Sequence, residues 1–308
     1  MRPTGIMLAL VPGAPGSASP TEFSLDTLWR TFTLNCRMLF GNACKSFAKT
    51  GLLPNSLLVL ALGAAPIQLY AQIQTTPVAP AWSLPASPTH EQVPPPPGFH
   101  RASKNFDTPI GIFQGQSDIG AALIPGSASY DRATRTYTLH SAGYNIWYNR
   151  DEFRFLWKKM SGDLSFAADV SFPIAKPPQD RKVVLIIRQD LEDDAKEVMV
   201  GEHGTGMVHL AERTEKDAFI KDMQFRIGGS LLPHDVLPKR IGIQKQGDEF
   251  ALFISVQGEP MHQFGPPVKI HFDAPFYVGI GFCPHLPTTV DSGSFSNVVL
   301  VNKAGEVH

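Results

Sequence analysis

The chain has 308 residues, of which 43% are hydrophobic and 18% charged, so it has enough apolar residues for a folded core and is not globally disordered. Its formal net charge of −1 argues against a nucleic-acid-binding protein that depends on broad neutralisation of phosphates. The 27 prolines are unevenly spread along the chain, and this unevenness indicates where its segments meet.

Residues 45–72 have the layout of a secretory signal peptide. Lys45 and Lys49 supply a positive n-region, residues 57–65 form a short apolar core, and a cleavage site follows at Gln72. The apolar core is too short to span a bilayer. We therefore predict a protein exported to the periplasm or the extracellular space, with an uncleaved membrane anchor as the alternative.

The signal does not lie at the start of the printed sequence. Export signals usually lie at the very N-terminus, so we expect translation to begin at Met38, with a genuinely long n-region as the alternative. Cleavage at Gln72 would remove Cys36 and Cys44, which excludes a disulfide within one mature chain. The remaining Cys283 stands in an apolar run and is predicted to be a buried small hydrophobe rather than a nucleophile.

Residues 72–102 are rich in proline, including four consecutive prolines at 94–97. Because proline fixes φ and lacks an N–H donor, we predict that this segment is a disordered, extended and semi-rigid spacer. An alternative is that it serves as a ligand for a module with an aromatic groove, since extended proline segments are recognised in that way.

From residue 103 to the C-terminus the pattern predicts an all-β domain. Short β-branched or aromatic runs alternate with turn residues, and no convincing helical period is longer than a couple of turns. This spacing favours a two-layer antiparallel β-sandwich or jelly roll. The predicted strands are 135–140, 153–157, 164–172, 183–188, 196–203, 207–213, 240–245, 249–256, 276–282 and 295–301.

Residues 105–303 resemble bacterial domains of the concanavalin A-like lectin/glucanase (laminin-G-like) superfamily. In particular, they resemble a group of exported domains, some of which are fused to TolB-like propeller repeats. The resemblance implies a curved antiparallel sandwich and no particular ligand. The residues that carry it are Trp157, Gly162, Asp163, Arg188, Arg240, Gly247, Asp248 and the segment 295–298.

The sequence lacks the catalytic pattern of the hydrolases in this superfamily, which are similar to one another in two glutamates flanking an aspartate on one strand face. A retaining glycosidase needs a carboxylate and a carboxylic acid roughly 5 Å apart. Glu197 and Glu202 lie on a predicted strand without the intervening pattern. We therefore expect a non-catalytic domain. Nucleophile-elbow and phosphate-loop motifs are also missing from the sequence.

Two groups of residues are weak candidates for metal ligands, and we predict no obligatory cofactor. Asp190, Glu192, Asp193 and Asp194 form an acidic cluster whose oxygens suit Ca²⁺, although the spacing does not fit an EF-hand and a solvated loop is the simpler interpretation. His203 and His209 flank a Gly-Thr-Gly turn and would supply two metal ligands.

The segment 144–150 combines aromatic residues with Asn and Arg, as sugar-binding sites do. Burial of Trp147 in the core is the alternative. Arg188 and Arg213 end apolar strands, so each either pairs with Glu202 or Glu212 or lines an open groove. The predicted ligand-binding residues are Tyr144, Asn145, Trp147, Arg150, Arg188, His203 and Arg213.

The sequence therefore favours an exported, non-catalytic binding module for a carbohydrate or a cell-envelope glycan. The alternatives are a protein-interaction or structural domain of the envelope and, less favoured, a glycoside-active enzyme. A membrane partner is expected only through the signal segment before cleavage.

Overall fold

The computed structural model describes residues 78–84, 92–174, 180–227 and 237–307, and the signal segment lies outside these ranges. One short 3₁₀ helix, Ala81–Ser83, precedes the strands. Among the described residues, no helix is long and apolar enough to cross a membrane. The first ten strands are β1 Lys104–Phe106, β2 Gly115–Ile119, β3 Ser127–Asp131, β4 Thr136–Ser141, β5 Ile146–Trp147, β6 Arg150–Asp151, β7 Phe153–Met160, β8 Leu164–Ser171, β9 Lys182–Arg188 and β10 Glu197–His203.

The remaining described strands complete the sandwich. They are β11 Val208–Arg213, β12 Lys221–Phe225, β13 Arg240–Gln246, β14 Glu249–Ser255, β15 His262–Gln263, β16 Val268–Lys269, β17 Phe276–Cys283, β18 Asp291–Asn302 and β19 Gly305–Glu306.

The strands form two large antiparallel sheets. Sheet A has the order β1-β2-β7-β17-β9-β10-β11-β12. Sheet B has the order β15-β14-β13-β8-β18-β4-β3, with β16 paired to β14 and β19 paired to β18. A separate two-stranded ribbon is formed by β5 and β6. The prediction of an all-β, two-layer antiparallel sandwich is confirmed.

The main hydrophobic core lies between the two sheets, and alternation along each strand decides which side chains enter it. On β8, Leu164, Phe166 and Ala168 are buried in this core, as the sequence predicts. On β9, Val183, Leu185 and Ile187 point into it, whereas Val184, Ile186 and Arg188 point to the other face of sheet A, because successive side chains on a strand face opposite sides.

That other side, which we call the outer face of sheet A, is also covered. Val184, Ile186 and Met199 form a second apolar cluster with Ile146 of the β5–β6 ribbon. The half-buried Trp147 packs against the same cluster. The β5–β6 ribbon therefore packs on the outer face of sheet A.

Residues 92–101, which we call the strap, also pack against this region. Gln92 and Pro95 are buried, and Gln92 Nε2 donates hydrogen bonds to the carbonyl oxygens of Ser83 at 3.0 Å and His285 at 3.2 Å. Trp82 makes edge-to-face contacts with Phe99 and with Tyr144. Residues 92–101 of the predicted disordered spacer therefore pack on the folded domain, whereas its residues 72–77 and 85–91 lie outside the described ranges.

Candidate functional site

Arg188 and Arg213 lie in a fully buried ion-pair network at one end of the outer face of sheet A. Arg188 Nη1 donates to Asp151 Oδ2 at 2.7 Å and also to Glu197. Arg213 donates to both carboxylate oxygens of Asp151, at 2.8 and 2.7 Å, and its Nη1 lies 3.5 Å from Glu197 Oε1. All four side chains are 0% exposed.

This network corrects the interpretation of both arginines as ligand contacts. Neither guanidinium reaches an open cleft, and the partners are Asp151 and Glu197 rather than Glu202 or Glu212. Glu197 lies directly opposite Arg188 in the β9–β10 register, whereas Glu202 occupies a position of the opposite parity on β10 and faces the inter-sheet side.

Burial raises the pKa of the two carboxyl groups, Asp151 and Glu197, whereas attraction to the arginines lowers it. Burial alone would raise the pKa of Asp151, but Arg213 and Arg188 outweigh it and hold that pKa below its usual value. Burial raises the pKa of Glu197 to about 7 despite the nearby arginines. Since these groups have no contact with solvent, the network is a structural clamp between the ribbon and sheet A.

His203 and His209 lie at the opposite end of the same face. His203 Nε2 is 3.1 Å from His209 Nδ1, and both rings are buried. Burial lowers the pKa of both imidazoles, that of His209 to about 3, and the charge of Lys182 acts in the same direction. A cation beside Lys182 would be repelled, so this pair does not suit a metal, and the burial of His203 does not support the prediction that it contacts a ligand.

Tyr144, Asn145 and Arg150 are buried, and their polar atoms are used by the strap. The Tyr144 hydroxyl donates to the carbonyl oxygen of Val93, and Asn145 Nδ2 donates to Gln92 Oε1 at 3.1 Å. Arg150 Nε donates to the carbonyl oxygen of Phe99 at 2.5 Å. The predicted ligand contacts are therefore contacts with another part of the same chain.

Trp147 is half-buried and packs against the second apolar cluster, in agreement with the alternative that it is a packing residue rather than a ligand contact. Its ring makes an edge-to-face contact with His209 at 5.6 Å between centroids, and Lys182 Nζ lies 4.7 Å from its centroid. Tyr148 and Phe219 form a more exposed aromatic pair, with centroids 6.3 Å apart and Phe219 56% exposed. Phe219 was not among the residues predicted from the sequence.

The acidic cluster is engaged by basic side chains. His100 Nδ1 lies 2.9 Å from Asp193 Oδ1, while Arg150 Nη2 lies 2.8 Å from His100 Nε2. Asp190 and Asp194 both lie within 4.0 Å of the Lys216 ammonium, at 3.7 and 3.4 Å. His100, Asp193 and Asp194 are close enough to share an ion. The guanidinium of Arg150 and the ammonium of Lys216 lie beside the cluster, and both ring nitrogens of His100 are hydrogen-bonded. An ion-pair network therefore describes the cluster better than a metal site.

An open groove lies on the outer face of sheet B, the face that points away from the inter-sheet core. It consists of a cleft of about 800 Å³ and an adjoining hollow of about 220 Å³, which share Ser165 and Gln244. These two residues face each other across β8 and β13. The next pair on the same face of the sheet is Ala167 and Gly242, whose small side chains leave room for the hollow.

Apolar side chains border the smaller hollow. Phe253 stands opposite Gly242 on β14 and is half-buried. A Cβ on Gly242 would lie 2.8 Å from Met261 Cε, so glycine allows Met261 to rest against the sheet. The hollow therefore has a small floor and a contiguous apolar wall.

Five of the twelve residues that line the larger cleft have neutral hydrogen-bonding side chains. They are Ser161, Ser165, Gln244, Gln246 and Asn302. The charged lining residues are Asp163, Lys245 and Lys303. Lys245 is buried and its Nζ donates to the carbonyl oxygen of Gly247 at 2.5 Å, which leaves one carboxylate and one ammonium at the rim. The groove therefore suits an uncharged polar ligand.

No sequence profile of a protein family matches the chain, and no curated protein sequence matches it. Solved structures that align with it include a functionally unknown protein from Saccharomyces cerevisiae, with 13% identity, a TM-score of 0.45, and coverage of 59% of this chain and 95% of that one. The carbohydrate-binding module CBM66 from Bacillus subtilis aligns with 12% identity, a TM-score of 0.40, and coverage of 65% and 96%. The alginate lyase from Klebsiella pneumoniae aligns with 10% identity, a TM-score of 0.39, and coverage of 57% and 84%.

At these identities and TM-scores the alignments assign this chain neither a superfamily, nor a ligand, nor an activity. The two-layer antiparallel sandwich is established by its own two sheets.

Proposed function

We propose that the protein is a non-catalytic carbohydrate-binding module and that the groove on sheet B holds a neutral glycan. The observation that carries this proposal is the lining of the groove. Amide and hydroxyl side chains such as Gln244 and Ser165 hydrogen-bond sugar hydroxyls, and an apolar wall such as Phe253 and Met261 packs against the less polar face of a pyranose ring.

The same lining favours binding over hydrolysis. Glycoside hydrolysis by the usual route needs two carboxyl groups that flank the scissile bond. Among the described residues that line the groove, Asp163 is the one carboxylate, and its Oδ1 already accepts a hydrogen bond from the amide of Gly247 at 2.7 Å. A ligand held here meets hydrogen-bonding groups without a paired acid and base.

A titration of the full chain with neutral oligosaccharides and with alginate oligosaccharides tests this function. We expect saturable binding of a neutral glycan and weaker binding of the anionic one. Gln244→Ala should weaken binding about two- to twelvefold, because one hydrogen bond contributes about 0.5–1.5 kcal/mol. Gln224→Ala, which changes an exposed glutamine on β12 of sheet A, is the matched control and should bind like the unaltered protein.

An absence of binding to every saccharide would contradict the glycan-binding function and support the alternative of a protein-interaction domain.

We also propose that the domain acts outside the cytoplasm after cleavage before Gln72. Intact-mass measurement of the exported protein tests this, and a mass that retains residues 57–65 would mean an anchored protein.

A further inference from the structure

The strap consists of residues 92–96, which form no turn, and a following turn at Pro97 and Gly98, where the amide of Phe99 donates to the carbonyl oxygen of Pro96 at 3.0 Å. Gln92 and Pro95, three residues apart, are buried, whereas Val93, Pro94, Pro96, Pro97 and Gly98 are exposed. A polyproline II helix has about three residues per turn, so one side contacts a surface and its carbonyl groups remain available to donors. The burial of residues 92–96 therefore resembles that of a bound proline-rich peptide, and the comparison ends at the turn.

The surface below the strap supplies the donors that such a peptide needs. The Tyr148 hydroxyl donates to the carbonyl oxygen of Gln92 at 2.6 Å, and the Tyr144 hydroxyl donates to the next carbonyl, that of Val93. Pro95 lines a small enclosed cavity together with Tyr144 and Arg150. Aromatic hydroxyls that donate to successive carbonyl groups, beside an aromatic-lined cavity that holds a proline, are typical of polyproline recognition.

The ends of the strap provide sequence specificity. At its start, Gln92 Oε1 accepts a hydrogen bond from Asn145 Nδ2 while its Nε2 donates to two carbonyl groups. At its end, the backbone N–H of Arg101 donates to Asp193 Oδ2 at 2.9 Å and the Arg101 side chain donates to Glu152 Oε1 at 2.8 Å. The surface therefore makes contacts that depend on the side chains of Gln92 and Arg101, with Pro95 between them.

The described strap residues belong to none of the strands, so the strap can leave without breaking a sheet ladder. We propose that the surface formed by Tyr144, Asn145, Tyr148 and Arg150 is a recognition site for extended proline-rich peptides, that the strap is its resident occupant, and that residues 92–101 of a second copy of this chain replace it. An identical segment fits the site equally well, and the covalent connection favours the resident copy at low protein concentration.

The test uses the full chain and a synthetic peptide with the sequence of residues 92–101. A Gln92→Ala chain, in which the resident strap is weakened, should bind the peptide with 1:1 stoichiometry and melt at a higher temperature in its presence. A peptide with alanine in place of Gln92 is the matched control and should bind at least tenfold more weakly. Peptide binding that is absent, or equal for the two peptides, would overturn the proposal.

Hydrogen exchange of the unaltered chain keeps the test decisive if the Gln92→Ala chain does not fold. We expect the amide of Arg101, which donates to Asp193 on the surface below, to exchange at least tenfold faster than that of Leu185 in β9, because the strap opens without the sheet. Equal protection of the strap and the sheet would show that the strap leaves only on global unfolding, and the proposal would be wrong.

Discussion

Arg213 holds Asp151 through two parallel hydrogen bonds, from Nη1 to Oδ2 at 2.8 Å and from Nη2 to Oδ1 at 2.7 Å. Asp151 belongs to the β5–β6 ribbon and Arg213 ends β11, so this bidentate pair joins the cover of sheet A to the sheet itself. Arg188 shares the same carboxylate. Arg188 and Arg213, which the sequence allowed as residues of an open groove, therefore hold the ribbon against sheet A.

Replacement of Arg188 with alanine should destabilise the fold by about 3–5 kcal/mol, because it leaves the buried Glu197 without its closest basic partner. Urea denaturation measures this change in the free energy of unfolding. Lys269→Ala, which removes an exposed partner 4.0 Å from Glu249, is the control and should change that free energy by less than about 1 kcal/mol. A small effect of Arg188→Ala would return Arg188 to consideration as a ligand contact.

Acid should destabilise the protein partly through His209. Burial lowers the pKa of the folded imidazole to about 3, whereas in the unfolded chain it takes up a proton below its ordinary pKa of 6.5. The unfolded state therefore binds more protons between these values, and stability falls as the pH is lowered through this window by up to roughly 1.4 kcal/mol per pH unit for this group.

Denaturation curves of the unaltered chain and of His209→Gln, measured from pH 7 to pH 4, isolate this contribution. The difference in free energy of unfolding between the two proteins should shrink as the pH falls, because the variant lacks the titrating group. A constant difference across the range would show that His209 does not titrate on unfolding.

Cys283 should be chemically inert in the native protein. It is fully buried, its Sγ lies 3.5 Å from the carbonyl oxygens of Gly143 and Glu152, and burial raises the pKa of its thiol to about 12. Iodoacetamide followed by peptide mapping should label Cys283 only after addition of urea. Labelling of this peptide under native conditions at the rate seen in urea would mean that the outer face of sheet A opens readily.

Local patterns were sufficient to predict most strands. Alternation identified β8 and its core-facing side chains, and the Gly-Thr-Gly turn predicted the β10–β11 hairpin, which the structure confirms as Glu197–His203 paired with Val208–Arg213. These features depend on neighbours in the sequence, which is why the sequence alone can specify them.

The partners of the buried charged residues could not be predicted from local patterns, because they depend on strand register and on contacts between residues far apart in the sequence. Alternation would assign Glu197 and Glu202 to opposite faces of β10, but only the β9–β10 register places Glu197 beside Arg188. Asp151 comes from a two-residue strand with no periodic signal. The groove was unpredictable for a similar reason, because Ser165 and Gln244 have the pattern of ordinary solvent-facing residues until the pairing of β8 with β13 brings them together.

The most direct test of glycan binding in the sheet B groove is a titration of an Ala167→Trp variant with the saccharide that the unaltered protein binds best. Ala167 lies on the groove floor beside Gly242, so an indole should fill the hollow and weaken binding at least tenfold. Ser129→Trp places the same side chain on exposed β3 of the same sheet and should bind normally. Unchanged affinity of Ala167→Trp, in a protein shown to be folded by its melting curve, would contradict the account.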